Sequence, residues 1–138
     1  MEIKLLKGIK DIDFGISKYE FVKKLGTDLS FEIIEEEGDF KTEAVFVEEY
    51  GSSLYFEGIE IDMTFAACDT QNKDAVLFGE KIFNKSKAEI KVLMKENTYK
   101  DLEEEVEEWG EERLDYYDAR VDFYFDGGKL RSVSWGVE

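Results

Sequence analysis

The sequence predicts an α+β fold in which two tandem units, each a capped helix followed by an antiparallel meander, build one continuous, concave sheet with the helices packed on one face. Three observations carry this reading. Leu54-Tyr55-Phe56-Glu57-Gly58 returns 69 residues later as Phe123-Tyr124-Phe125-Asp126-Gly127. The stretch Phe14 to Phe21 returns at the same offset as Phe83 to Ile90, with a Phe, a Ser, a Lys and a Glu kept. After each helical stretch the apolar period switches to two. Two matches in one register indicate a duplicated supersecondary unit. The 138 residues are therefore read as a single domain, 1–138, of two repeats, about 1–72 and about 73–138.

The first unit opens on Ile3, Leu5, Leu6, Ile9 and Ile12, a short apolar segment that is either a strand or an approach to the helix. Ser17-Lys18-Tyr19-Glu20 has the form of a capping box, in which the serine side chain and the glutamate satisfy each other's backbone amides. Phe21, Val22 and Leu25 give that helix its apolar side, and Gly26 ends it. Ser86 and Glu89 repeat the device, with Ile90, Leu93 and Met94 as the apolar side.

Beyond the first helix, Phe31 and Ile33, then Val45 and Val47, alternate with polar residues as half-buried antiparallel strands do, with Gly38-Asp39 as the turn. Gly51 breaks the chain before the Ser53–Glu57 strand. Gly58 then turns it into Ile59, Ile61, Met63 and Phe65, expected as a fourth strand. Asp69 to Asp74 reads as a polar loop, and Ala75-Val76-Leu77-Phe78 hands over to the second unit. There, strands are expected at about 112–117, 119–126 and 129–136, with Asp126-Gly127-Gly128 as a hairpin turn. The Glu-rich stretch 102–109 fits either helix or strand, and the analogy with Phe31 to Glu37 favours strand.

Composition narrows the function. The 34 Asp and Glu against 18 Lys and Arg give a net charge of −16. Such a surface repels nucleic acid and anionic membranes and attracts a basic protein, if it is more than a solubility device. Hydrophobic residues at 43% and aromatics at 14% exclude a disordered acidic tail. Neither a signal peptide nor a membrane span is expected, which places the chain in the cytoplasm. Cys68 has no second Cys and no His to work with, and is expected to be a small buried residue.

With no His, the hydrolase triads and common metal sets are missing, and no phosphate-cradling loop is present. Asp11-x-Asp13 and the run Glu103 to Glu108 offer carboxylates to calcium only weakly: the first lacks the Gly and Glu that follow in a calcium loop, and the second reads as a solvated face. No enzyme activity, metal or cofactor is expected. What the repeat does offer is a face. Alternation puts Leu54, Phe56, Phe123 and Phe125 on one side of the sheet and Tyr55 and Tyr124 on the other, with Glu57, Asp122 and Asp126 around them. Tyr117 (or Tyr116), Trp135 and Tyr50 are candidates to join this face. Tyrosines among carboxylates suit protein binding, although cross-strand pairing alone also accounts for them.

The motifs Phe14 to Gly26 with Phe83 to Met94, and Leu54 to Gly58 with Phe123 to Gly127, resemble the beta-lactamase inhibitory protein fold. That resemblance implies two repeats on one concave sheet and a protein-binding face. Those inhibitors are secreted and disulfide-bonded, so it does not extend to their target. In size, charge and organisation the chain also looks like the immunity proteins that neutralise polymorphic toxins, which implies a basic toxin domain as partner. A small-ligand carrier, needing an apolar cavity between helix and sheet, and an acidic DNA mimic, needing rows of carboxylates, are the other readings.

Overall fold

The computed structural model describes residues 1–26 and 28–137. In chain order these form β1 (Glu2–Lys4), β2 (Gly8–Ile9), β3 (Ile12–Asp13), α1 (Lys18–Leu25), β4 (Phe31–Glu37), β5 (Phe40–Val47), β6 (Ser52–Ile59), β7 (Thr64–Thr70), β8 (Val76–Leu77), β9 (Glu80–Lys81), α2 (Lys87–Glu96), β10 (Leu102–Val106), β11 (Glu111–Tyr116), β12 (Val121–Asp126) and β13 (Lys129–Gly136), with a 3-10 turn at Glu48–Tyr50. The α+β class holds. The stretch at 102–109 is a strand over its first five residues, as favoured.

There are two sheets rather than one. Eight strands form the large sheet in the order β10-β11-β12-β13-β7-β6-β5-β4, so the two meanders meet through antiparallel pairing of β13 with β7. The short strands form a second sheet, β3-β2-β1-β8-β9, in which β1 pairs in parallel with β8 from the far half of the chain. Strands of two or three residues leave no alternation to read, so the sequence does not announce this layer.

Both helices start where expected. Ser17 Oγ accepts from the Glu20 amide at 3.1 Å, and Ser86 Oγ accepts from the Glu89 amide at 3.2 Å. Only Glu89 completes a capping box, its carboxylate accepting from the Ser86 amide at 2.9 Å; at Ser17 the reciprocal half is not formed among the described residues. Gly26 closes α1 at φ 101°, a conformation that penalises any side chain.

The core lies between the large sheet and the layer of helices and short strands. Leu54, Phe56, Phe123 and Phe125 are fully buried there, as the alternation predicts. Phe21 of α1 sits 4.8 Å, ring to ring, from Phe56. Trp135 is also on this inner face, with its indole N–H donating to the Gly8 carbonyl at 2.9 Å and pinning β13 to β2. Gly8 is required where β2 passes β3: a Cβ there would lie 2.0 Å from the Ile12 carbonyl oxygen. Cys68 is buried on the same side, and burial pushes its thiol far up, so it is inert.

Several expected strand positions shift. Ile59 ends β6, Ile61 is 89% exposed in the following turn, and β7 begins at Thr64 and runs through Asp69 to Thr70. Ile33 is 49% exposed because α1, eight residues and so about 12 Å long, covers only the Phe31 end of β4. The two outer strands of the large sheet are rich in carboxylates, Glu32, Glu35, Glu36 and Glu37 on β4 and Glu103, Glu104 and Glu105 on β10.

Among the described residues no helix is long and apolar enough to cross a membrane.

The halves correspond in detail. The register slips by one residue opposite Tyr55 and Phe56, where β7 carries the extra Ala66, and again opposite Tyr124 and Phe125, 69 residues on, where β13 carries the extra Arg131. Lys18 reaches Glu43 at 2.6 Å, and Lys87 reaches Glu112 at 3.0 Å, both residues displaced by the same 69.

Candidate functional site

Both helices lie against the Leu54 and Phe123 side, which leaves the opposite face of the large sheet uncovered by them. Register assembles that face row by row. Glu103, Asp115, Asp122, Ser134, Asp69, Ser53 and Phe46 are successive partners across seven strands, β10 to β5. Beside them run Glu105, Arg113, Tyr124 and Ser132 in one half, and Ala67, Tyr55 and Ala44 in the other. At the centre, around the junction of β7 with β13, is a depression of about 320 Å³ that Tyr55, Asp69, Arg120, Asp122 and Ser134 help to line.

The two tyrosines are half-buried and differently held. Tyr55 donates its hydroxyl to Asp69 Oδ2, and burial, then that carboxylate, pushes its ionisation far above the ordinary range. Burial, followed by the nearby Asp122, also raises Tyr124. Each therefore stays a neutral donor with a broad apolar ring.

Asp115 and Asp122 face each other across β11 and β12. Asp115 is only 6% exposed, and the Arg113 guanidinium holds its carboxylate, Nε donating to Oδ2 at 3.0 Å. Its Oδ1 lies 2.9 Å from the same nitrogen but off the N–H direction, and it is without a hydrogen bond. Asp122, its partner across the strands, is the neighbouring group that could donate when protonated. Burial, then its hydrogen bond to Asp115 and the adjacent like charge, raises Asp122 to about 7. Asp122 is therefore only partly ionised near neutrality, beside the buried Asp115.

The predicted residues divide. Tyr55, Glu57, Asp122, Tyr124 and Asp126 all belong to the open face; Asp126 is exposed and ion-paired with Arg131 at 2.8 Å. Tyr117 is exposed and donates to Glu103, which first among its causes pushes it up to about 12. Trp135, Tyr116 and Tyr50 are corrected: each is 2–3% exposed and part of the core. For Trp135 the cause is the irregularity in β13, where Phe125 pairs with Leu130 but Tyr124 with Ser132, so the skipped Arg131 reverses the alternation that follows.

Asp69, Asp115, Arg113 and Ser134 were missed. Asp69 was assigned to a loop, yet Phe65, Cys68 and Thr70 are buried while Asp69 is not, a pattern that a bulge at Ala66 obscures. Asp115 and Arg113 could have been found by pairing 111–116 with 121–126 once the hairpin was recognised.

The arrangement offers acceptors, neutral phenolic donors and one titratable acid. It suits the capture of cationic side chains. No described group of carboxylates and Cys is arranged to hold a metal ion. Comparison with protein families, with curated proteins and with solved structures finds no match.

Proposed function

We propose that the chain is a non-enzymatic, cytoplasmic protein-binding inhibitor, an immunity protein that neutralises a basic bacterial toxin domain through the open sheet face. The observation that carries the reading is the convergence of Tyr55, Tyr124, Asp69 and Asp122 on one face that neither helix covers, in a chain of net charge −16. Tyrosine supplies rigid contact area at low entropic cost, and the acidic field speeds encounter with a basic partner.

The carboxylate row Glu103, Asp115, Asp122 and Asp69 gives the DNA-mimic reading one observation of its own. It is the weaker reading, because Arg113 neutralises Asp115, Asp122 is only partly ionised and Ser134 interrupts the row. A mimic of phosphates needs evenly ionised charges.

The test is co-expression with the product of the adjacent gene, followed by association kinetics on the purified pair. Reversing Glu57, Asp69 and Asp126 to Lys is expected to slow association by about 10- to 100-fold and to flatten its salt dependence. Unchanged association sinks the reading. Competition by duplex DNA for the same partner would replace it with the mimic.

A further inference from the structure

We infer that the chain has a second, separate site, a cleft between α2 and the β10–β11 edge that binds a small amphiphilic anion, an organic carboxylate or sulfonate with an apolar tail or ring. The cleft has a volume of about 300 Å³ and is lined by Lys91, Lys95, Tyr99, Lys100, Leu102 and Tyr116. That volume is at the lower end of small-molecule pockets. Half of its lining is lysine and none is Asp or Glu, in a protein that has nearly two acids for each base. The remaining half is apolar surface: Leu102 and Tyr116 are cross-strand partners that form one wall, and Tyr99 stacks on Phe78 with its centroid 6.1 Å away.

Charge complementarity selects the occupant. Of the three lysines, Lys91 is ion-paired with Glu104, whereas no ion pair among the described residues engages Lys95 or Lys100. The nearby Asp118 carboxylate already accepts the backbone amides of Lys100 at 3.0 Å and Asp101 at 3.4 Å. Tyr116, raised to about 12 by burial and then by Glu104 and Asp118, keeps its proton and stays a donor. Two uncommitted ammonium groups over an apolar wall fit an anionic head with a hydrophobic body, and fit a basic protein poorly.

The seam of the first half is built differently. There, Phe31 fills the groove beside α1, edge-on to Phe21 and Phe56 at 6.3 and 5.7 Å. Phe31 pairs with Val45, and Leu114, 69 residues beyond Val45, pairs with Glu104. Glu104 thus occupies the place of the aromatic plug and is drawn outward by Lys87 and Lys91.

The test is an amide chemical-shift titration of the intact protein with 2-naphthalenesulfonate and, separately, octanoate. Saturable shifts at Tyr99, Leu102 and Tyr116, about tenfold weaker in Lys95→Glu/Lys100→Glu at unchanged melting temperature, are expected. Saturation by naphthalenesulfonate alone specifies an aromatic ligand, and saturation by octanoate alone an aliphatic one. No saturable shift with either up to about 1 mM, or equal binding by the double variant, overturns the inference. Charge reversal on the open face leaves this titration intact, so its outcome is independent of the inhibitor reading.

Discussion

The two halves solve the same packing problem with different chemistry. In the first, the seam between helix and sheet is closed by Phe31, with the Lys18 ammonium 4.4 Å from its ring centroid and ion-paired to Glu43. In the second, the equivalent lysine, Lys87, reaches both Glu112 and Glu104, and Lys91 shares Glu104. An apolar plug excludes water and ties the helix to the core. A cluster of half-exposed ion pairs fixes the helix in register and sits beside an open cleft instead of a filled one.

That contrast is most exposed to test at the seams themselves. Phe31→Ala is expected to cost about 2–3 kcal/mol, by opening a void against Phe21 and Phe56, and Glu104→Ala less than about 1 kcal/mol, because its pairs are screened by solvent. Equal losses in urea denaturation would break the comparison.

The open face differs between halves as well. Ser53 and Asp69 in one correspond to Asp122 and Ser134 in the other, so serine and aspartate exchange places across the central junction. Only Asp122 is opposed by a second buried carboxylate. Its folded value of about 7 lies above the unfolded one, so the stability it contributes is complete below about pH 4 and is lost as pH rises through 7. Asp122→Asn is expected to remove a fall on the order of 2 kcal/mol between pH 5 and 8, after allowance for its partial exposure; Asp69→Asn is expected to leave the slope in place. Stability curves at these two pH values decide between them.

The helix caps give the smallest effect. Ser86→Ala removes the anchor of a full capping box and Ser17→Ala that of a half one, so the losses are expected near 1 kcal/mol, with Ser86→Ala larger by a few tenths. A reversed order in thermal melts would show that Glu89 contributes nothing.

Legibility in the sequence followed regularity. The helices were readable because Ser17 and Ser86 precede apolar residues at helical spacing, and the strands around Phe56 and Phe125 because alternation there is uninterrupted. Where a bulge inserts one residue, as at Ala66 in β7 and at Arg131 in β13, every later side chain changes sides. Trp135 and Asp69 lie beyond those points and were misplaced for that reason. The Asp115–Asp122 pair and the lysine cleft depend on register between elements, which local patterns do not carry.

The outer strands of the large sheet have one further consequence. Each presents unpaired backbone groups, an invitation to another copy of the same sheet, and each carries a string of glutamates. At neutral pH these repel their counterparts on an approaching molecule, so the sheet stays finite. Near the isoelectric point of about 4.4 the repulsion fades. Self-assembly of folded molecules through their edges is then the failure to expect, and it would set the lower pH limit for handling the protein before unfolding does.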